Sequence, residues 1–281
     1  MLVSICLATY NGEQSIRSAL DSVLSQTYHD FEVIVVDDHS TDSTPRIVYN
    51  EYCARDNRVK LFVNQTSPDN KYWEAHNLSY EYAKGEILFR IDQDTVLYED
   101  YLEYHIQFLN EHPEYDAYST CMKRCVVENQ MTREYTKEED ASFLIAYQDE
   151  EFEWFNINNA HSYCGNTVLW SNPSSSLRKS FYDKYHPKYI SYSMGDYIFW
   201  WNVIACGGKL YKSKETKSIN CNYGNCSSSD PSFYKLSFAE AKVLAKFKAI
   251  GVRREGFEEM AEKFEADVLK YEELEKNGGN S

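Results

Sequence analysis

No apolar run in the 281 residues is long enough to span a bilayer, and the first strand-like run already starts at Leu2, with no secretory segment before it. The chain is therefore expected to be soluble and cytoplasmic, or at most peripheral to a membrane. Positive charge is scarce: 29 Lys and Arg face 44 Asp and Glu, a formal net charge of -15. That balance argues against a nucleic-acid partner, because phosphate backbones reward clustered cations. No G-x-G-x-x-G follows the first strand, which disfavours a dinucleotide-binding domain, and neither a G-x-x-x-x-G-K-[ST] loop nor a G-x-S-x-G elbow occurs. The eight cysteines (Cys6, Cys53, Cys121, Cys125, Cys164, Cys206, Cys221 and Cys226) are scattered without the two-residue gap of zinc knuckles, so reduced, mostly buried thiols are expected.

The N-terminal part alternates strand and helix signals. Apolar runs over Leu2–Ala8, Phe31–Val36, Val59–Val63 and Glu86–Ile91 predict strands, as does the stretch near Ala117–Cys121. Helical spacing appears over Gln14–Leu24, after Ser43, over Ala75–Lys84 and over Asp100–Glu111. Such alternation with short links predicts an α/β fold whose central sheet is mostly parallel and flanked by helices. Ligands in these sheets bind beyond the carboxyl ends of the strands. Thr9, Tyr10 and Asn11, then Asp37 and Asp38, then Asp92 and Asp94 all fall there. Further on, Val126–Phe155 has weak periodicity, Asn166–Trp170 reads as a strand and Ser176–Tyr185 as a Ser-capped helix. Gly195-Asp196 opens the apolar helix Tyr197–Ala205. Two tail helices are expected, with Leu236, Ala239, Val243, Phe247 and Ile250 as the stripe of the first.

Asp92 and Asp94 stand two apart at a strand end, so both carboxylates face one side of extended chain. Two hard oxygen ligands beside a polyphosphate suit Mg2+ or Mn2+, which complete their shells with phosphate and water. Of Asp37 and Asp38, one is expected to accept the imide N–H of a uracil or thymine ring and the other to hold the turn. Tyr10 offers a flat face for base stacking.

Ser4–Gly12, Leu24–Tyr28 and Phe31–Ser40, followed by Asn77 with Ala83–Glu86 and Asp92-Gln93-Asp94, resemble the opening of the non-processive, bacterial-type family 2 glycosyltransferases with the GT-A fold. The resemblance is dense over residues 2–120 and returns at Gly195-Asp196. It implies a GT-A catalytic domain over 1–232, with a nucleotide-binding half at 1–120 and an acceptor half at 121–232, and a C-terminal helical extension over 233–281. It implies that Ala8, Thr9, Tyr10 and Asp38 hold the nucleobase, that Asp92 lies near the ribose, and that Asp94 binds a metal bridging the diphosphate. Asp196 matches the family's general base, which deprotonates the acceptor for inverting transfer. The implied partners are a nucleotide-diphosphate sugar, of UDP or dTDP, and a saccharide, lipid-linked or protein-linked acceptor.

Some family features are missing. Many relatives carry Arg where His76 stands, so the cation expected near the diphosphate is absent there, and Lys71 or His76 is left to substitute. A His near the metal has no counterpart among Asn220, Asn222 and Tyr223. Trp154 and Trp170 are candidates for the acceptor side, whereas Trp200 and Trp201 read as core. Lys235, Lys242, Lys246, Lys248, Arg253 and Arg254 give the first tail helix a basic side, suited either to an anionic membrane or to packing on this domain or a dimer partner. Two other classes stay open on the residues alone: a nucleotidyltransferase making nucleotide sugars, for which Thr9–Ile16 lacks a basic Gly-rich loop, and a non-catalytic sugar-nucleotide-binding protein.

Overall fold

The computed structural model describes residues 1–65, 72–128, 131–134, 152–153, 174–190, 195–223, 237–254 and 256–276. Lys71, Trp154, Trp170, Lys235 and the strand expected over Asn166–Trp170 lie outside the described residues.

In chain order the elements are β1 (Val3–Thr9), α1 (Ile16–Leu24), β2 (Phe31–Asp37), α2 (Thr44–Ile47, running on as a π-helical turn over Val48–Cys53), β3 (Val59–Val63), α3 (Tyr72–Tyr82), β4 (Ile87–Asp92), β5 (Thr95–Leu97) and α4 (Tyr101–Glu111). Next come β6 (Ala117–Glu128), β7 (Met131–Glu134), β8 (Phe152–Glu153), β9 (Ser175–Arg178), α5 (Lys179–Tyr185), α6 (Gly195–Ala205), β10 (Leu210–Asn222), α7 (Phe238–Arg254) and α8 (Glu258–Lys276).

All the described strands join one sheet in the order β3-β2-β1-β4-β9-β6-β10-β5, with β7 added to β6 and β8 to β10. The strands β3, β2, β1 and β4 are parallel, as the alternation predicts. Beyond them the sheet is mixed: β9 runs antiparallel to both β4 and β6, while β10 is parallel to β6 and antiparallel to β5. Every residue of β1 and β2 is buried, which requires cover on both faces. Val3, Ile5 and Leu7 join Val33, Val35, Phe89 and Tyr101 in one core cluster with α1 and α4. Cys6 and Leu88 face the other way, into a second cluster with Tyr80, Phe199, Trp200 and Trp201. The register aligns Thr9 with Asp37 and Ala8 with Asp92, so three strands end at one place and turn their loops toward it.

Two expectations need correcting. The helix expected over Ser176–Tyr185 begins only at Lys179, because Ser175–Arg178 forms β9. Ladder bonds on both sides outweigh the local helix signal there, and Ser176 Oγ lies 2.9 Å from the buried His105 Nδ1. The buried face of α7 is also shifted. Leu244, Ala245, Lys248, Ala249 and Val252 point inward, while Ala239 and Ile250 are exposed.

Packing explains the shift. Lys248 is nearly buried, with its ammonium 5.0 Å from the Tyr197 ring centroid and 5.4 Å from that of Phe264. Gly251 lets α7 approach α6 so closely that an added Cβ would sit 2.9 Å from Ile204 Cγ2. Other basic side chains of α7 meet the acidic α8: Lys242 with Glu275, Lys246 with Glu272, and Arg253 with Glu258 and Glu265. The helix pair thus neutralises much of the basic side that suggested a membrane surface. Among the described residues, no helix is long and apolar enough to cross a membrane. The described cysteines are free thiols, and Cys6, Cys121, Cys125 and Cys221 are buried.

Candidate active site

The loops after β1 and β2 are sewn together. Asn11 adopts a left-handed backbone (φ 47°), its N–H donating to Ser40 Oγ at 2.9 Å and its Oδ1 accepting from the Thr41 N–H at 2.8 Å. The Gly12 N–H donates to Thr44 Oγ1 at 2.8 Å. Asp37 is the structural member of its pair: it is buried, and Oδ2 accepts the Ser40 N–H at 3.0 Å. Burial pushes its carboxyl upward, against the bonds from Ser40. Asp38 points the other way. Its Oδ1 accepts from Asn64 Nδ2 at 2.8 Å, with His39 Nδ1 3.7 Å away, and its own N–H donates to the Thr9 carbonyl.

Ala8 and Thr9 are buried. Tyr10 is about half exposed and keeps its ring face available. The clamp on this loop is Gln93, the middle residue of Asp92-Gln93-Asp94. Its Oε1 accepts from Thr9 Oγ1 at 2.6 Å and from the Tyr10 N–H at 2.9 Å, and its Nε2 donates to the Tyr10 carbonyl at 3.1 Å. A Cβ at Gly12 would come within 2.5 Å of Gln93 Oε1, so the clamp needs glycine opposite it.

The carboxylates on either side of Gln93 have different companions. Asp94 Oδ1 accepts from Asn220 Nδ2 of β10 at 2.9 Å, and its carbonyl accepts the Cys221 N–H. Asn220, one of the three residues among which the family's histidine has no counterpart, thus orients the carboxylate. Asp92 Oδ1 accepts from Arg90 Nη2 at 2.8 Å. The same guanidinium reaches Asp196, at the start of α6, through Nη1 at 2.6 Å. Arg90 is 4% exposed. Behind it, Nη2 lies 3.1 Å from His76 Nε2, and the Tyr189 ring centroid is 4.9 Å from the guanidinium carbon. Arginine can only donate, so His76 Nε2 is the acceptor. Burial, reinforced by Arg90, holds His76 neutral by driving its pKa well below the ordinary value.

His76 is buried and neutral, and the cation beside it is Arg90, two residues before Asp92 on the same face of β4. The signal was available: an arginine inside an otherwise apolar strand (Ile87–Ile91) needs a buried partner. Asp196 and Asp92 are thereby brought together, while Asp38 and Tyr10 stand beside them across the ends of β1 and β2.

The donor set suits a divalent ion only in part. Among the described residues, no group of three or more His, Cys, Asp and Glu could hold a metal. Asp92 is engaged by Arg90, which leaves Asp94 as one oriented hard ligand. That fits Mg2+ or Mn2+ arriving with phosphate and water ligands, not an ion needing a protein cage.

The sequence profile described as glycosyl transferase family 2 matches residues 4–185. Among curated relatives, the putative glycosyltransferase EpsE of Bacillus subtilis is 34% identical over 120 residues, covering 43% of this chain and 42% of its own length. The GalNAc(5)-diNAcBac-PP-undecaprenol beta-1,3-glucosyltransferase of Campylobacter jejuni is 28% identical over 198 residues, covering 64% of this chain and 61% of that protein. The chain spans about two fifths of the length of the first relatives it matches. Among solved structures, S. aureus TarS 1-349 in complex with UDP-GlcNAc superposes with a TM-score of 0.67 at 19% identity, covering 90% of this chain and 71% of that one. At that identity the likeness carries the GT-A type of fold.

Proposed function

This chain belongs to glycosyl transferase family 2, and from that premise we propose that it moves a single sugar from a nucleotide-diphosphate sugar to an acceptor hydroxyl, inverting the anomeric centre. One observation carries the reading: Asp196, the candidate base, is tied through Arg90 to Asp92 at the donor end of the sheet. Residues 1–232 are assigned as the catalytic domain, and 233–281 as its helical extension.

Asp38, oriented by Asn64, accepts the N–H of the base while Tyr10 lies on its face. Asp92 lies near the ribose. A divalent cation at Asp94 would offset charge on the leaving diphosphate. Asp196 accepts the proton of the acceptor hydroxyl as its oxygen attacks the anomeric carbon and the bond to the diphosphate breaks. A UDP donor is supported by the UDP-GlcNAc complex of TarS, and a lipid-linked saccharide acceptor by the name of the Campylobacter relative.

Calorimetry with UDP, dTDP and GDP, with and without Mn2+, tests the donor side, and sugar transfer to saccharide-diphosphate lipids tests the acceptor side. Asp94→Ala is expected to lose metal-dependent donor binding. Asp196→Asn is expected to bind donor normally and transfer nothing. Full transfer by Asp196→Asn sinks the base assignment, and indifference to all three nucleotides sinks the donor.

A further inference from the structure

We propose that Arg90 is a positioning residue of this reaction centre, locking the Asp196 carboxylate to the donor side in one register. The inference rests on Asp196 being the base.

Three observations support it. First, the guanidinium links carboxylates from separate elements, Asp92 of β4 and Asp196 of α6, at 2.8 and 2.6 Å. A planar fork fixes the directions of both at once, whereas the three rotatable donors of a lysine ammonium sit on one atom and impose no such geometry. Second, Arg90 itself has little freedom. It is 4% exposed, whereas Asp196 is 37% exposed and so remains open to an incoming hydroxyl. The Asn77 side chain fixes the segment bearing Tyr189 by two bonds of 2.9 Å, to the Tyr189 carbonyl and from its N–H. The Tyr189 ring then stacks at 4.1 Å on Phe199 of α6. The Tyr189 side of the cradle that seats Arg90 is therefore backed by the helix whose first turn carries Asp196. Third, the charges are arranged for this purpose. Among the described residues, the groups bonded to or packed on the centre include Arg90 and Asp92 of β4, His76 of α3, and Tyr189. Burial pushes the Tyr189 hydroxyl well up and the His76 imidazole well down, so both stay neutral. Arg90 is then the cation that answers the two carboxylates. Taking it away leaves two like charges facing each other, which raises the affinity of one for a proton.

The arrangement trades basicity for position. A carboxylate bonded to arginine is a weaker base, yet it is aimed before the acceptor arrives. Arg90 takes no proton, because its pKa is too high.

The test compares the intact chain with Arg90→Gln and Arg90→Lys. Carbon-13 carboxylate titration, with the Asp196 signal assigned by its loss in Asp196→Asn, is run beside the pH profile of transfer. In Arg90→Gln the Asp196 midpoint is expected to rise by about one pH unit, and the acid limb of kcat to move with it. Arg90→Lys is expected to keep the midpoint near that of the intact chain. It should lower kcat by about tenfold or more while moving the donor KM by less than about threefold, since an interaction needed in the transition state has been lost.

An unmoved Asp196 midpoint in Arg90→Gln overturns the proposal. So does full kcat in Arg90→Lys, or an equal loss of rate at every pH that follows a lowered melting temperature. If Arg90→Gln does not fold, the KM-against-kcat split of Arg90→Lys decides alone. If the intact chain transfers no sugar from any nucleotide donor, the base reading falls and takes the positioning role with it. That failure shows in activity, while the titration still reports whether Arg90 governs Asp196, so the two failures are distinguishable.

Discussion

Mild acid should weaken this protein before most carboxylates are touched, because two imidazoles are folded into its core uncharged. His76 is 2% exposed and His105 is 0% exposed. Burial lowers both pKa values well below the usual 6.5, helped by Arg90 at His76 and by Lys217 at His105. Each is needed as it stands. His76 accepts from Arg90, and His105 bonds Ser176 Oγ of β9 at 2.9 Å and Thr120 Oγ1 of β6 at 3.3 Å. Below pH 6.5 the unfolded chain binds these protons and the folded chain refuses them. Stability is therefore complete above that pH and is lost as the pH falls through it. The steepest slope is about 1.4 kcal/mol per pH unit for each imidazole. Integrated from pH 6.5 to 5.5 that is about 1 kcal/mol each, or about 2 kcal/mol together. Asp37 works with the opposite sign, since burial raises its carboxyl, and it offsets part of the loss at the acid end. Urea unfolding followed by tryptophan fluorescence at these pH values measures the slope. His105→Gln keeps hydrogen-bonding groups without titrating there, and should remove about half of it. A flat stability across this range, or an unchanged slope in His105→Gln, would refute the reasoning.

Gln93→Ala removes all three bonds that hold the Thr9–Tyr10 loop. With about 1 kcal/mol for each bond and partial exposure, donor affinity should fall by about 5- to 30-fold, read by calorimetry, with little change in melting. Glu32→Gln acts at the far end of the sheet, where Oε1 accepts from Ser4 Oγ and the Lys84 N–H while Oε2 meets Lys60 at 2.6 Å. It should cost about 1–3 kcal/mol of stability and leave kcat and donor affinity unchanged, which denaturation and transfer assays check together.

Much of the sheet could be read from periodicity because its strands β1 and β2 are buried on both sides. Runs such as Val3–Thr9 and Phe31–Asp37 are mostly apolar, their early polar members Ser4 and Glu32 bonding each other, and the carboxylates that end the strands stand out against them. The elements that escaped reading are those whose state is fixed by neighbours. Ser175–Arg178 has a helix-start pattern, and it becomes a strand because β4 and β6 leave a gap between them. β10 is polar along much of its length, yet Lys212, Ser213 and Ser218 are buried. Lys248 shifted the expected face of α7, since no hydropathy pattern anticipates an ammonium seated among three aromatic rings.

The candidate site divides along the same line. Asp38, Asp92, Asp94 and Asp196 were visible as carboxylates at element ends, where backbone direction alone sets their general placement. What each carboxylate can do depends on the group that holds it, and those groups come from elsewhere in the chain: Asn64 for Asp38, Asn220 for Asp94, Arg90 for Asp92 and Asp196. Asn220 comes from a strand 126 residues away, and Asp196 lies 106 residues beyond Arg90. No local pattern encodes such pairings. Arg90 has the additional disguise of sitting inside an apolar strand, where a charge reads as a flaw in the hydrophobic pattern. Physically it is the opposite: a cation so deeply buried is tolerable only because two carboxylates converge on it, so its presence in the strand already required partners from outside β4.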